Sequence, residues 1–130
     1  MKPSLHRLPG SYSVHRLAPQ AALPDGLLAE PFYALLKSSD ELSVCCRSDF
    51  TIASDREEPG WACLAVAGPL DFALTGIVAG LTAPLADAGI AVFVISSFDT
   101  DYLLLKQAEL TRATAVLAAA GFTVKAQKPS

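Results

Sequence analysis

The sequence predicts an α+β protein. Two observations favour this class: helical and strand-like segments alternate after Trp61, and short strands broken by prolines fill the first sixty residues. Only 18% of the 130 residues are charged. Soluble domains carry roughly 25% charged residues, so this chain has an excess of apolar surface. We expect a folded chain of one compact domain, or of two very small lobes, that buries part of this excess against a partner.

The second half has regular periodicity. A strand is predicted from Trp61 to Ala67, and a helix is predicted from about Thr75 to Ala88, stopped by Gly89. Pro84 lies inside that helix, so we expect a kink or a restart with Thr82 as a new cap. The remaining segments are a buried strand (Ile90–Ser96), a strand (Tyr102–Leu105), a helix (Glu109–Ala120) and a last strand (Phe122–Lys125).

The order strand, helix, strand, strand, helix, strand defines a ferredoxin-like βαββαβ unit. This arrangement is an antiparallel four-stranded sheet with both helices on one face. Its second strand, Ile90–Ser96, lies at an edge of the sheet. An apolar exposed edge invites aggregation, so we expect the first lobe or a second copy of the chain to cover it.

The first half is irregular. Strands are predicted at Tyr12–Leu17, Phe32–Leu36 and Leu42–Arg47, with at most a short helix near Leu27, and Asp55–Gly60 reads as an exposed connection. The predicted domains are therefore a lobe over residues 1–60 and a complete unit over residues 61–130.

Composition and charge argue against several classes of function. The net charge is −3, and no Lys or Arg lies between positions 57 and 105, which argues against a nucleic-acid surface. The apolar stretch between Asp71 and Asp87 is shorter than the roughly 20 residues of a membrane span, and no secretory signal is evident, so we expect a cytoplasmic protein. The three cysteines lack disulfide or zinc spacing and predict reduced core residues, and no cofactor motif is present.

Three segments carry a resemblance to a known family. They are Gly68–Val78 (GPLDFALTGIV), Leu81–Ile90 (LTAPLADAGI) and Ile95–Tyr102 (ISSFDTDY). Together they resemble the signature of small bacterial ACT-domain proteins and are similar to the tandem ACT domains of animal cytosolic arginine sensors. The match covers residues 61–125. Residues 10–60 resemble the reduced first lobe of that family, a degenerate ACT-like half.

The resemblance implies a non-catalytic regulatory dimer that binds a small ligand, usually an amino acid, at an interface between ACT units. Carried over to this sequence, the ligand site falls on two segments, which comprise Leu74, Thr75, Gly76, Ile77 and Val78 with Asp99, Thr100 and Asp101.

The chemistry of these residues supports the assignment. With no nearby Lys or Arg, a carboxylate must be held by backbone N–H groups, which a helix N-terminus supplies. Gly76 lets the ligand approach the backbone, and Asp99 or Asp101 can face an ammonium group. The alternative interpretation is structural: Thr75–Gly76 is also a common helix cap, and Asp99–Asp101 a common turn.

Other functions find less support. Phe98–Asp101 differs from the aspartic-protease loop F-D-T-G by Asp101 in place of glycine, and two carboxylates without a third ligand make a weak magnesium site. His15 lies in a strand without a serine or cysteine motif, so we expect a surface or half-buried residue and no catalytic triad. The two open hypotheses are an amino-acid-binding homodimer and a structural module that dimerises or binds a protein partner without a ligand.

Overall fold

The computed structural model describes residues 2–67 and 75–126, and this part of the chain forms eight strands and two α-helices. The strands are β1 Ser4–Arg7, β2 Tyr12–Leu17, β3 Tyr33–Lys37, β4 Leu42–Arg47, β5 Arg56–Val66, β6 Phe93–Ser96, β7 Asp101–Lys106 and β8 Thr123–Lys125, and the helices are α1 Ile77–Asp87 and α2 Leu110–Ala119. The chain divides into two compact units. The small unit is Gly10–Trp61, and the split unit combines Met1–Pro9 with Ala62–Ser130.

The small unit is an antiparallel sheet in the order β3-β4-β2-β5. Strands β2 and β4 have the predicted bounds, and β3 is shifted by one residue from the prediction. One face of the sheet carries the apolar core, which consists of Leu17, Leu27, Leu42, Val44 and Cys46. Leu27 reaches this core from a single 3₁₀ turn, Leu27–Ala29, which is the short helix that the sequence allowed. Leu42, Val44 and Cys46 alternate along β4, so their side chains share the buried face of the sheet.

Strand β5 begins earlier than predicted. The segment Asp55–Gly60 was expected to be a connection, but Arg56 to Glu58 pair antiparallel with Arg16 to Val14 of β2. The register shifts between Tyr12 and Val14, and Pro59 follows the paired residues at this irregularity, where a strand tolerates a missing N–H. The charged residues of this strand segment are exposed, which is why its composition resembles that of a loop.

The sheet of the split unit has five strands, in the order β6-β7-β5-β1-β8. Strand β1 pairs antiparallel with β5 (Leu5 with Val66) and parallel with β8 (Leu5 with Val124). Two expectations are therefore wrong: the sheet is not four-stranded, and it is not wholly antiparallel. The assignment of residues 1–60 to the first lobe is also wrong at its N-terminal end, because β1 lies inside the sheet of the split unit.

Both helices pack on one face of this sheet, as predicted. Leu81 and Leu85 of α1 and Ala113 and Leu117 of α2 share one buried cluster with sheet residues, which are Leu5, Leu64, Val66, Leu103 and Leu105. The predicted layer of two helices on a sheet is therefore present, although β1 is inserted between β5 and β8.

Helix α1 runs through Pro84 without restarting. Thr82 is not a cap, since its hydroxyl donates to the carbonyl of Val78 at 2.9 Å, one turn earlier. Pro84 lies three residues before the last helical residue, so its missing N–H removes a single bond near the end of the helix. The predicted restart with Thr82 as a new cap is therefore wrong.

Strand β6 forms one edge of the split unit and pairs only with β7 in the described part of the chain. It begins at Phe93 rather than Ile90, and none of its four residues is buried. The fully buried strand expected from the sequence is therefore an exposed apolar edge. The need for a cover, which the sequence analysis inferred, remains in the structure.

Candidate functional site

The start of α1 presents an open backbone. Gly76 is the N-cap residue, with φ 78° and ψ 1°, and its carbonyl accepts the first helical hydrogen bond from the N–H of Gly80 at 2.8 Å. No side chain of residues 2–67 or 75–126 caps this end, and the first turn contains no acidic residue. The N–H groups of the first turn therefore lack an acceptor from a cap, and the positive end of the helix dipole lies beside them.

The described residues leave the space around Gly76 open. A Cβ atom added there would meet no heavy atom of the described residues within 4 Å. Thr75 and Gly76 are exposed, and Ile77 and Val78 are half-buried. Leu74, the remaining residue of this predicted segment, lies outside the described residues. A small anion therefore has access to the amides of the first turn, which is the chemistry that the sequence analysis assigned to this segment.

The second predicted segment, Asp99–Asp101, closes the hairpin between β6 and β7. The backbone N–H of Ser97 donates to the carbonyl of Thr100 at 2.8 Å, and the N–H of Thr100 donates to the Ser97 hydroxyl at 3.2 Å. Across the hairpin, the Ser96 hydroxyl donates to the Asp101 carboxylate at 2.6 Å. Thr100 and Asp101 therefore stabilise the turn, and Asp99 is exposed next to them.

Thr100 also connects this turn to the strand that precedes α1. Its hydroxyl donates to the backbone carbonyl of Val66, the last residue of β5, at 2.6 Å. The turn and the beginning of the β5–α1 connection therefore lie at the same end of the sheet. No hydrogen bond or ion pair of the described residues joins the turn directly to Thr75–Val78.

Tyr102, the second residue of β7, is a further polar group of this region. Burial is the main cause that raises its pKa, and the nearby Cys63 thiol and Asp99 carboxylate act in the same direction. A hydrogen bond with the Ser97 side chain acts in the opposite direction. The phenol is therefore neutral at physiological pH and can donate a hydrogen bond near the Asp99 turn.

His15 is buried in the small unit, with 2% of its surface exposed, so the expectation of a surface or half-buried residue is wrong. Its Nδ1 lies 2.9 Å from the Ser54 hydroxyl oxygen. Its Nε2 lies 4.0 Å from a Glu57 carboxylate oxygen and has no hydrogen-bond partner among the described residues. Burial lowers the pKa of His15, and Glu57 partly opposes this shift. Because 4.0 Å is beyond hydrogen-bond distance, the carboxylate does not orient the ring, and the group does not form a triad.

The cysteines are free and buried, as the sequence predicted. Burial raises the pKa of Cys45 to about 12 and that of Cys46 to about 11. Both side chains are therefore thiols rather than thiolates at neutral pH and are poor nucleophiles and metal ligands. Within residues 2–67 and 75–126, no group of three or more His, Cys, Asp or Glu side chains is arranged to hold a metal ion.

Neither of the two α-helices of the described residues, α1 and α2, is long and apolar enough to cross a bilayer.

Two family models match the chain. A model described as an ACT domain matches residues 56–119, and a model of an N-terminal domain matches residues 10–55. A search of curated proteins found no match.

Solved structures give the same result for the fold. A crystal structure of an Agrobacterium tumefaciens protein is 36% identical, has a TM-score of 0.89, and matches over 99% of this chain and 96% of that chain. A Vibrio cholerae protein of unknown function is 19% identical, with a TM-score of 0.69 over 89% and 88% of the two chains. The ligand-free regulatory subunit of aspartate kinase from Thermus thermophilus is 10% identical, with a TM-score of 0.58 over 86% and 93%. At such low identity the last two similarities concern the fold alone. The family models, the 36% identical relative and the layer of two helices on a sheet agree, and the chain belongs to the ACT-domain family.

Proposed function

We propose that this protein is a non-catalytic regulatory module that binds an amino acid, or a similar small ligand, at the N-terminus of α1. The observation that supports this most strongly is the backbone at Gly76, where no described side chain caps the first-turn amides and no described atom lies within 4 Å of an added Cβ. A ligand carboxylate accepts hydrogen bonds from these N–H groups and lies at the positive end of the helix dipole.

The second half of the ligand needs an acceptor. Asp99 is exposed in the turn at the same end of the sheet, and Asp101 keeps one carboxylate oxygen beyond the one that accepts from Ser96. An α-ammonium group held by either carboxylate forms a charge-assisted hydrogen bond. Thr100 contributes by holding the turn against the end of β5 through its hydroxyl, rather than by contacting the ligand.

A second copy of the chain is the occupant that we propose for the β6 edge. In the described residues β6 pairs on one side only. Phe93, the first residue of β6, is 37% exposed, and Phe98, in the turn after β6, is 79% exposed. The similar regulatory subunit of aspartate kinase is itself named as a subunit of a larger enzyme, which is consistent with an assembly role. The β6 edge also offers the alternative function, a structural module that dimerises or binds a protein partner without a ligand.

Thermal-shift screening of the twenty amino acids, followed by calorimetry on each hit, separates the two functions. A ligand at a hundred times its dissociation constant adds about 2.7 kcal/mol of stability. The binding hypothesis predicts at least one such hit at millimolar concentration. A flat screen together with a dimeric mass in light scattering supports the structural alternative, and a monomeric mass at tens of micromolar contradicts the proposed dimer.

The site itself is tested by Gly76→Ala with Gly89→Ala as the matched control. Both glycines have positive φ (78° and 75°), and at both positions an added Cβ meets no described atom within 4 Å. Each substitution therefore carries the same backbone strain, about 1–2 kcal/mol. Only Gly76→Ala is expected to lower the affinity for the ligand. Equal affinities in the two variants would mean that the ligand binds elsewhere.

A further inference from the structure

The split unit contains a pocket that the proposed amino-acid site does not use. Its volume is about 370 Å³, and it lies where β1, β5 and β8 meet the first turns of α2. This volume is near the lower end of the roughly 300–1,000 Å³ that small-molecule sites occupy. The lining residues used below are Arg7, Leu64, Thr111, Thr114, Val124 and Lys125. We propose that this pocket binds a small carboxylate with an apolar body and no ammonium group.

The charge of the pocket is positive. Arg7 and Lys125 both line it, and no acidic residue is among the lining residues. In the described part of the chain neither cation forms an ion pair, whereas Arg16, Arg47 and Arg112 each lie within 4.0 Å of a carboxylate. Arg7 is half-buried, so its charge is screened less than that of a fully exposed side chain. An incoming carboxylate therefore meets Arg7, whose charge no acidic side chain of the described residues neutralises.

Strand β1 is what brings this charge to the pocket. Arg7 pairs with Leu64 of β5, and alternation along β1 places the Arg7 side chain on the same face as Leu5, which lies in the helix-covered core. Lys125 of β8 pairs with His6, one position away from the Leu5–Val124 pair, so Arg7 is the cation that alternation places on the helix-covered face. Because the sequence has no Lys or Arg between positions 57 and 105, Arg7 adds a cation beside Leu64 of β5.

Polar and apolar groups divide the rest of the pocket. Thr111 and Thr114 lie three residues apart on one face of α2, within its first two turns, so both hydroxyls can donate to an anion near the positive end of the helix. Leu64 and Val124 supply an apolar wall. A carboxylate at the Arg7 end with a short aliphatic body against this wall uses both kinds of surface.

The absence of a carboxylate among the lining residues sets the class of ligand. An α-ammonium group in the pocket would face Arg7 and Lys125 and would gain no acceptor of opposite charge. The pocket therefore discriminates between an amino acid and the corresponding keto acid, in favour of the keto acid. This preference is opposite to the one proposed for the α1 site, where Asp99 and Asp101 provide acceptors.

The test uses α-ketoisocaproate and L-leucine, which share a carbon skeleton and differ at the α-position. Binding to the full chain is followed by amide chemical shifts in ¹⁵N-labelled protein. We expect α-ketoisocaproate at millimolar concentration to shift the amides of Thr111, Thr114 and Val124, and L-leucine to leave these three unchanged. The reverse preference, or the absence of any shift at these amides, overturns the proposal.

Substitutions of pocket residues test where the carboxylate of the ligand binds. Arg7→Gln is expected to lower the affinity for α-ketoisocaproate roughly tenfold to a hundredfold, since a hydrogen bond to a charged group contributes about 1.5–3 kcal/mol. Lys37→Gln, which removes an exposed cation of β3, is the control and leaves affinity unchanged. Thr114→Val tests the site without altering β1, so it remains informative if Arg7→Gln folds poorly. Unchanged affinity in either pocket variant contradicts the assignment.

The proposal for the α1 site and the proposal for this pocket can be refuted separately. Gly76→Ala leaves α-ketoisocaproate binding unchanged under the present proposal, whatever it does to an amino acid. A loss of keto-acid binding in Gly76→Ala would show that both ligands use the α1 site and would overturn the second pocket.

Discussion

Truncation of Leu5 tests whether β1 is an integral strand of the split unit. Leu5 is fully buried, pairs with Val66 on one side and Val124 on the other, and belongs to the core beneath both helices. Leu5→Ala removes three carbons, which at ~0.8 kcal/mol each corresponds to about 2.4 kcal/mol of transfer free energy. The cavity left between two strands adds to this loss, so we expect a total of roughly 3–4 kcal/mol.

The assay is urea denaturation followed by methyl NMR, which separates the two units. Leu117 reports on the split unit and Leu27 on the small unit, since each is fully buried in the core of its own unit. Leu36→Ala, at a β3 residue that is 65% exposed, is the matched control and is expected to change stability by no more than about 0.5 kcal/mol. A loss below about 1 kcal/mol for Leu5→Ala, which a well-packed core leucine does not give, would refute the inserted strand.

Three further predictions concern polar and titratable groups. Thr100→Val removes the hydroxyl that donates to the Val66 carbonyl, so we expect a loss of about 1–3 kcal/mol in denaturation, against near neutrality for Thr123→Val at an exposed position of β8. Cys45 and Cys46 are buried thiols with raised pKa values, so native protein at pH 7.5 should react with iodoacetamide much more slowly than urea-unfolded protein; equal rates would contradict their burial. His15 has a lowered pKa in the folded state, so the unfolded chain binds the extra proton, and stability should fall as pH drops below about 6.5, the ordinary histidine pKa. His15→Gln should flatten this dependence between pH 7.5 and 5.5, and an unchanged slope would assign it to other groups.

The sequence predicted most of the elements because their signals are local. The alternation in Tyr12–Leu17 and Leu42–Arg47 corresponds to strands with those bounds, and Gly89 and Gly121 follow the ends of the two helices. Strand β1 was missed because four residues carry too short a pattern, and its partners, near Val66 and Val124, are distant in the chain. No local rule gives such pairings.

Burial was harder to predict than secondary structure. The run before Ser97 is apolar on both faces, which is typical of a fully buried strand, yet no residue of β6 is buried at the edge position that the topology correctly predicted. His15 was expected near the surface because histidine is polar, but the Ser54 hydroxyl accommodates its Nδ1 inside the small unit. In both cases the environment depends on distant segments.

The candidate site was predicted in part for the same reason. The sequence placed a helix start at Thr75–Gly76, and Gly76 is the N-cap residue of α1. The roles of Thr100 and Asp101 in the turn depend on contacts with Val66 and Ser96 that a single sequence does not specify. Arg7 was overlooked because it lies more than fifty residues from the ACT segments and reaches them only through β1.

The central claim is that an amino acid binds at the N-terminus of α1. Calorimetric titration of the best amino-acid hit into wild-type protein, Gly76→Ala and Gly89→Ala tests it most directly, because the two variants share backbone geometry and differ in which end of α1 they alter. We predict that Gly89→Ala retains the wild-type dissociation constant and that Gly76→Ala loses at least about tenfold, or 1.4 kcal/mol. Identical dissociation constants in the three proteins, or no heat with any amino acid, would contradict the claim.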